Sequence, residues 1–91
     1  MVGPCIEYKF IIQRYLNDEL SSLEFQALYI YKFKNEGRLL DENLFLLLDE
    51  LFGDVDAYTE DESLLIESPG LYLSRQGLIE KAQNIFSRLV C

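Results

Sequence analysis

Leu44, Leu47, Leu48, Leu51, Phe52 and Val55 stand at positions i, i+3, i+4, i+7, i+8 and i+11, which puts six large apolar side chains on one stripe of a helix. A stripe that wide has to be covered, and the rest of the chain offers three more amphipathic segments to cover it. Cys5, Tyr8, Ile12, Tyr15 and Leu16 share helical spacing behind Pro4, a residue suited to a first helical turn, and polar Asn17, Asp18 and Glu19 end that segment. Ser21 and Glu24 form a capping-box pattern, with Leu20 and Phe25 placed as a hydrophobic staple. The helix that follows turns Phe25, Leu28, Tyr29 and Phe33 inward and is expected to end at Gly37 in a left-handed cap. Asp41 is the N-cap expected for the striped helix, with Leu40 and Phe45 in the staple positions. Ser74 caps a last helix whose inner residues are Leu78, Ala82, Ile85, Phe86 and Leu89.

Three of these helices follow one another through short connections, and the default packing is an all-α antiparallel four-helix bundle. Ninety-one residues suffice for one domain, 1–91, with one core. A hydrophobic fraction of 49% with 13% aromatics separates the chain from disordered acidic tails. Between Ala57 and Leu73 the periodicity lapses, and Ser68-Pro69-Gly70 reads as a turn, so this stretch is expected to be a long loop.

Composition narrows the function. The chain has no His, which removes Ser–His and Cys–His catalysis, imidazole acid/base chemistry and His phosphorelay. No run of apolar residues is long enough to span a bilayer, and Glu7 and Lys9 interrupt the stretch where a signal peptide needs an apolar core. A cytoplasmic protein without membrane contact is expected, and its two cysteines, Cys5 and Cys91, are then expected to be ordinary thiols. No zinc set is present, and the Asp54-x-Asp56 pattern lacks the glycine and the closing glutamate of a calcium loop, with Thr59 and Leu65 at those positions. Nothing marks a buried carboxylate pair, so neither enzymatic activity, nor a cofactor, nor a metal is expected.

The charge is segregated. From Leu39 to Ser74 there are ten acids and no Lys or Arg, in a chain of formal net charge −8. On the striped helix Asp49 and Asp56 share one flank, Glu50 and Asp54 take the other, and Leu46 and Gly53 lie between them. Gly53 lowers helix stability by about 1 kcal/mol relative to Ala, so either the helix frays there or something approaches its backbone. The contiguous acidity points to a docking face for a positively charged partner and argues against direct contact with nucleic acid. The residues expected to form it are Asp49, Asp54, Asp56, Glu60, Asp61 and Glu62, with Tyr58 and Leu46 as anchors.

The run from Tyr15 to Phe25, then Tyr29 with Lys32, Leu48-Asp49-Glu50-Leu51-Phe52, and Asp54-Val55-Asp56-Ala57-Tyr58 resemble the colicin D immunity protein family over residues 10–89. The resemblance implies a protein that neutralises a bacterium's own toxin, in the best known case a nuclease that cuts transfer RNA, by covering its basic active-site cleft. It implies a monomer that becomes a heterodimer with the toxin, and it matches the toxin-contacting acids to Asp56 and Asp61 with Tyr58 between them. The family also serves other bacteriocins and contact-dependent inhibition systems, so the cognate toxin stays open.

Two other classes share the composition. Acyl carrier proteins are small, acidic and four-helical, and Glu62-Ser63-Leu64 is near their Asp-Ser-Leu, but Pro69-Gly70 leaves no room for the long helix that should follow. A generic acidic adaptor or nucleic-acid mimic would carry the same charge pattern. A toxin reading frame beside the gene separates that class from an immunity protein.

Overall fold

In the computed structural model, which describes residues 3–91, the chain forms five helices and, among those residues, no strand. They are α1 (Pro4–Leu16), α2 (Ser22–Lys34), α3 (Glu42–Asp56), α4 (Glu62–Glu67) and α5 (Arg75–Arg88). The four long helices touch in a closed ring: α1 packs on α2 and α5, and α3 packs on the same two. Their buried faces meet in one core that includes Tyr8, Ile12, Phe25, Tyr29, Leu48, Leu51, Val55, Leu78, Ala82 and Ile85.

The helix starts follow the local chemistry of the sequence. The Ser21 hydroxyl accepts from the Glu24 amide at 3.0 Å while the Glu24 carboxylate accepts from the Ser21 amide at 2.8 Å, a complete capping box. Asp41 caps α3 through the amides of Asn43 and Leu44, and Ser74 caps α5 through the amide of Gly77. The core is unusually aromatic. Tyr15 stacks on Phe25 at 4.3 Å between ring centroids, and Phe33 meets Phe52 at 5.1 Å, so rings join α1 to α2 and α2 to α3. Tyr29 is fully buried yet satisfied, its hydroxyl donating to the Leu48 carbonyl at 2.7 Å. Ile11, not among the inward residues expected for the first helix, also joins the core, whereas Leu28 and Phe33 are only half-buried.

Four features depart from the sequence expectations. The first is the end of α2, which stops at Lys34 with Asn35 as its cap; no described glycine has a positive φ, so Gly37 makes no left-handed cap. That conformation falls instead to Asp18, φ 62°, just past α1. There the amide of Glu19 donates to the Arg14 carbonyl and that of Asp18 to the Tyr15 carbonyl, which closes the helix end as a Schellman motif. Asp is one of the few side chains that tolerates this region.

The second departure is the stretch after α3, which is more structured than a lapse of periodicity suggests. Thr59 donates its amide to the Leu73 carbonyl and Leu73 donates its own to the Ala57 carbonyl, so Tyr58 and Leu73 form a parallel bridge that pins both ends of the loop. Within it Asp61 caps α4, whose six residues are too few to display a stripe. Gly77 serves this arrangement, since a Cβ there would meet the Leu73 side chain at 3.3 Å on the first turn of α5.

The third concerns Cys5 and Cys91, which are not free thiols but a disulfide with Cα atoms 5.9 Å apart. Their separation of 86 residues hides the pairing from any reading of local spacing, but α1 and α5 pack side by side and bring the two together. The fourth, the buried ring of Tyr58, belongs to the acidic face.

Candidate protein-binding face

The α3 helix turns Leu48, Leu51 and Val55 into the core and leaves Asp49, Gly53 and Asp56 exposed, with Leu46 about half so, at 55%. Seven residues at about 1.5 Å rise place Asp49 and Asp56 roughly 10 Å apart along the same outer line. The helix runs unbroken through Gly53 to Asp56, so Gly53 does not fray it, and nothing lies within 4 Å of where a Cβ on it would be. Inside this chain the glycine therefore has no packing role.

Neighbouring helices fix the two sides of α3. On the α5 side, Arg88 donates to Glu50 at 3.1 Å, and Asp54 is half-buried, where desolvation raises its carboxyl pKa against the opposing influence of Lys81. Towards α2, Phe33 packs on Phe45 and Phe52. Gln26 of α2 reaches past the end of α3, its Nε2 donating to the carbonyls of Val55 at 3.0 Å and Tyr58 at 3.1 Å. Nothing in local sequence marks Gln26 for this role, because the contact depends on how α2 and α3 pack.

Tyr58, expected as an aromatic anchor, is a core residue with 6% exposure. Its hydroxyl donates to Glu60 at 2.8 Å, and burial followed by this bond raises its phenol pKa. What Tyr58 does here is orient Glu60. Asp61 accepts from the amides of Ser63 at 2.9 Å and Leu64 at 3.4 Å, so its carboxylate is both an exposed charge and the cap of α4. Glu62 is exposed in the first turn of that helix. The same loop leaves Ile66 and Leu71 largely uncovered, two apolar side chains among acids that the sequence reading passed over.

Most of the basic residues are engaged with other partners, and Lys81 acts on Asp54. Glu7 accepts from Lys32 at 2.8 Å and from Arg38 at 2.7 Å, and Arg38 also holds Glu36. Arg75 pairs with Asp18, Arg14 with Glu19, and Lys9 donates to the Leu89 carbonyl. Among the described residues no ion pair involves Asp49, Asp56, Glu60, Asp61 or Glu62. Nor do the described residues contain a group of three or more His, Cys, Asp or Glu arranged to hold a metal ion. No described helix is long and apolar enough to cross a membrane.

The arrangement is an exposed acidic surface with scattered apolar side chains, which suits contact with a macromolecule better than enclosure of a small molecule. Compared with known proteins, residues 4–89 match a family model described as bacterial self-protective colicin-like immunity. No curated protein and no solved structure matches the chain.

Proposed function

Since the chain belongs to the family of bacterial colicin-like immunity proteins, we propose that it binds and neutralises a cognate toxin with the acidic end of α3 and the loop that follows. The observation that carries this reading is the set of exposed carboxylates at Asp49, Asp56, Glu60, Asp61 and Glu62, none of which forms an ion pair with a Lys or Arg of the described residues. Fixed negative charge of this kind favours a positive partner and speeds encounter with it. A nuclease domain fits best, because a cleft that holds a phosphate backbone has to be lined with Lys and Arg. A transfer-RNA-cleaving domain is the specific target proposed from the resemblance in the Asp54–Tyr58 segment.

In this reading the four long helices are an antiparallel bundle and a single domain, monomeric alone and a heterodimer with toxin in the cytoplasm. Its action is steric and electrostatic occlusion without catalysis. Leu46, Ile66 and Leu71, exposed beside the acids, supply apolar contact at the centre of the interface. Co-expression with a toxin nuclease domain from a reading frame adjoining the gene tests the proposal. Rescue of growth, together with a stable one-to-one complex in which RNA cleavage stops, is the expected result. Rescue without a complex, or a complex in which cleavage continues, overturns it.

A further inference from the structure

We propose that the Cys5–Cys91 bond is a reversible redox clasp, opened in the folded protein by a dithiol and closed again by an oxidised thiol. Three observations carry this. Cys5 is the second residue of α1, a helix of 13 residues with Pro4 ahead of it and no side-chain cap on its first amides. A sulfur in that first turn lies near the positive end of the helix, which stabilises a thiolate and makes it a good leaving group. Asp41 and Arg88 line the same groove as Cys5, a cavity of about 460 Å³, and bring opposite charges to it.

The second observation is access, because Cys91 is exposed while Cys5 is half-buried. An incoming thiolate therefore attacks Sγ of Cys91. The S–S bond breaks, its electron pair leaves on Sγ of Cys5, and a mixed disulfide forms at Cys91. The second sulfur of the dithiol then displaces Cys91. Two electrons pass from dithiol to protein, the dithiol closes to its own disulfide, and its two protons end on Cys5 and Cys91.

The third is what holds the end of α5 once the bond is open. Leu89 is 3% exposed in the core, its carbonyl accepts from Lys9 at 3.0 Å, and Lys9 also lies 5.0 Å from the centroid of the Phe86 ring. Opening therefore frees Val90 and Cys91 and leaves the helices packed. The clasp joins the start of α1 to the end of α5, beside a groove that the first turns of α3 also line, whereas Asp56 closes the other end of α3, so opening loosens the molecule at the end opposite Asp56 and the loop that follows it.

The test uses the protein alone, first oxidised with glutathione disulfide. Native treatment with dithiothreitol followed by iodoacetamide and mass measurement should show both cysteines alkylated with the helical circular dichroism unchanged. The thermal midpoint should fall by about 10 °C or more, the scale expected for loss of a cross-link over so long a loop. Hydrogen exchange should quicken in residues 4–9 and 86–91 and stay unchanged in residues 56–62. Fresh glutathione disulfide should restore the midpoint. The double variant Cys5→Ser, Cys91→Ser should match the reduced protein and ignore dithiothreitol. Alkylation that needs denaturant, a midpoint indifferent to reduction, a reduced chain that cannot be closed again, or a double variant that fails to fold would each overturn the proposal.

Discussion

Gln26 of α2 and Val55 of α3 are joined by a hydrogen bond of 3.0 Å from the Gln26 side-chain amide to the Val55 carbonyl. The same amide nitrogen reaches the Tyr58 carbonyl, so one side chain satisfies two acceptors where the helix hands over to the acidic loop. Gln26→Ala leaves both without this donor in a half-buried place, and about 1–2 kcal/mol of stability should be lost. Urea denaturation measures that loss. If the side chain also positions the acids, toxin inhibition should weaken by more than the lost stability accounts for, under conditions where the variant is fully folded.

Much of the fold was legible because its signals are local. The caps at Ser21, Asp41 and Ser74, and the stripe from Leu44 to Val55, need only neighbours in sequence to be read. What escaped was set by tertiary packing. The Cys5–Cys91 bond exists because α1 and α5 lie together, α4 because Asp61 and a distant bridge to Leu73 order a loop, and Tyr58 is buried where that bridge ties the chain back to Leu73. At the acidic face the charges stood out in the sequence as a run without bases. Which of them stay unpaired did not, since Arg88 reaches Glu50 from another helix.

Gly53 supplies a prediction in which stability and binding separate. A Cβ at that position meets nothing within 4 Å. Gly53→Ala should therefore stabilise the free protein by about 1 kcal/mol through helix propensity alone. Thermal melts of the isolated variant check this, and a lower midpoint would show that the glycine does serve the fold. Toxin binding measured beside it reports whether the partner approaches the bare backbone: weaker binding by the more stable variant means that it does.

Acid should weaken the cluster joining α1 to α2. Arg38 and then Lys32 hold the Glu7 carboxyl down to about pKa 2, and Arg38, helped by Tyr8, holds Glu36 down to about 2. Both values lie below the ordinary 4.5, so the folded state binds these protons less readily than the unfolded one. Their contribution is present above pH 4.5 and fades as pH falls towards 2. Glu24, lowered by its bond to the Ser21 amide, acts in the same sense, and Asp54, raised by burial, acts against it. Urea midpoints across that range should drop steeply for the parent chain and less steeply for Arg38→Gln.

Charge reversal locates the binding face. Asp56 is exposed and outside any ion pair of the described residues, so Asp56→Lys should move stability by only about half a kcal/mol while sharply reducing inhibition. Asp61 needs a gentler change because it caps α4; Asp61→Asn removes its charge and keeps an N-cap acceptor. Glu7 is an unsuitable control, being held by Lys32 and Arg38, whereas Glu80 is exposed on α5 and makes none of these pairs. Glu80→Lys should leave inhibition near the parent level. Equal loss from Glu80→Lys and Asp56→Lys would mean that net charge matters and the face does not.

Salt distinguishes the reach of the acids from their contact energy. At 0.15 M ionic strength the field of exposed charges is screened beyond about 8 Å, and at 1 M beyond about 3 Å. Steering by Asp49, Asp56, Glu60, Asp61 and Glu62 acts before contact, so added salt should slow association with the toxin domain. Dissociation depends on what is already desolvated, including apolar contact at Leu46, Ile66 and Leu71, and should change far less. Stopped-flow association and dissociation rates over a salt series measure the two separately. In Asp56→Asn the association rate should be both lower and less sensitive to salt than in the parent. If the two chains share one salt slope, Asp56 lies outside the steering field and the docking face has to be sought on another helix.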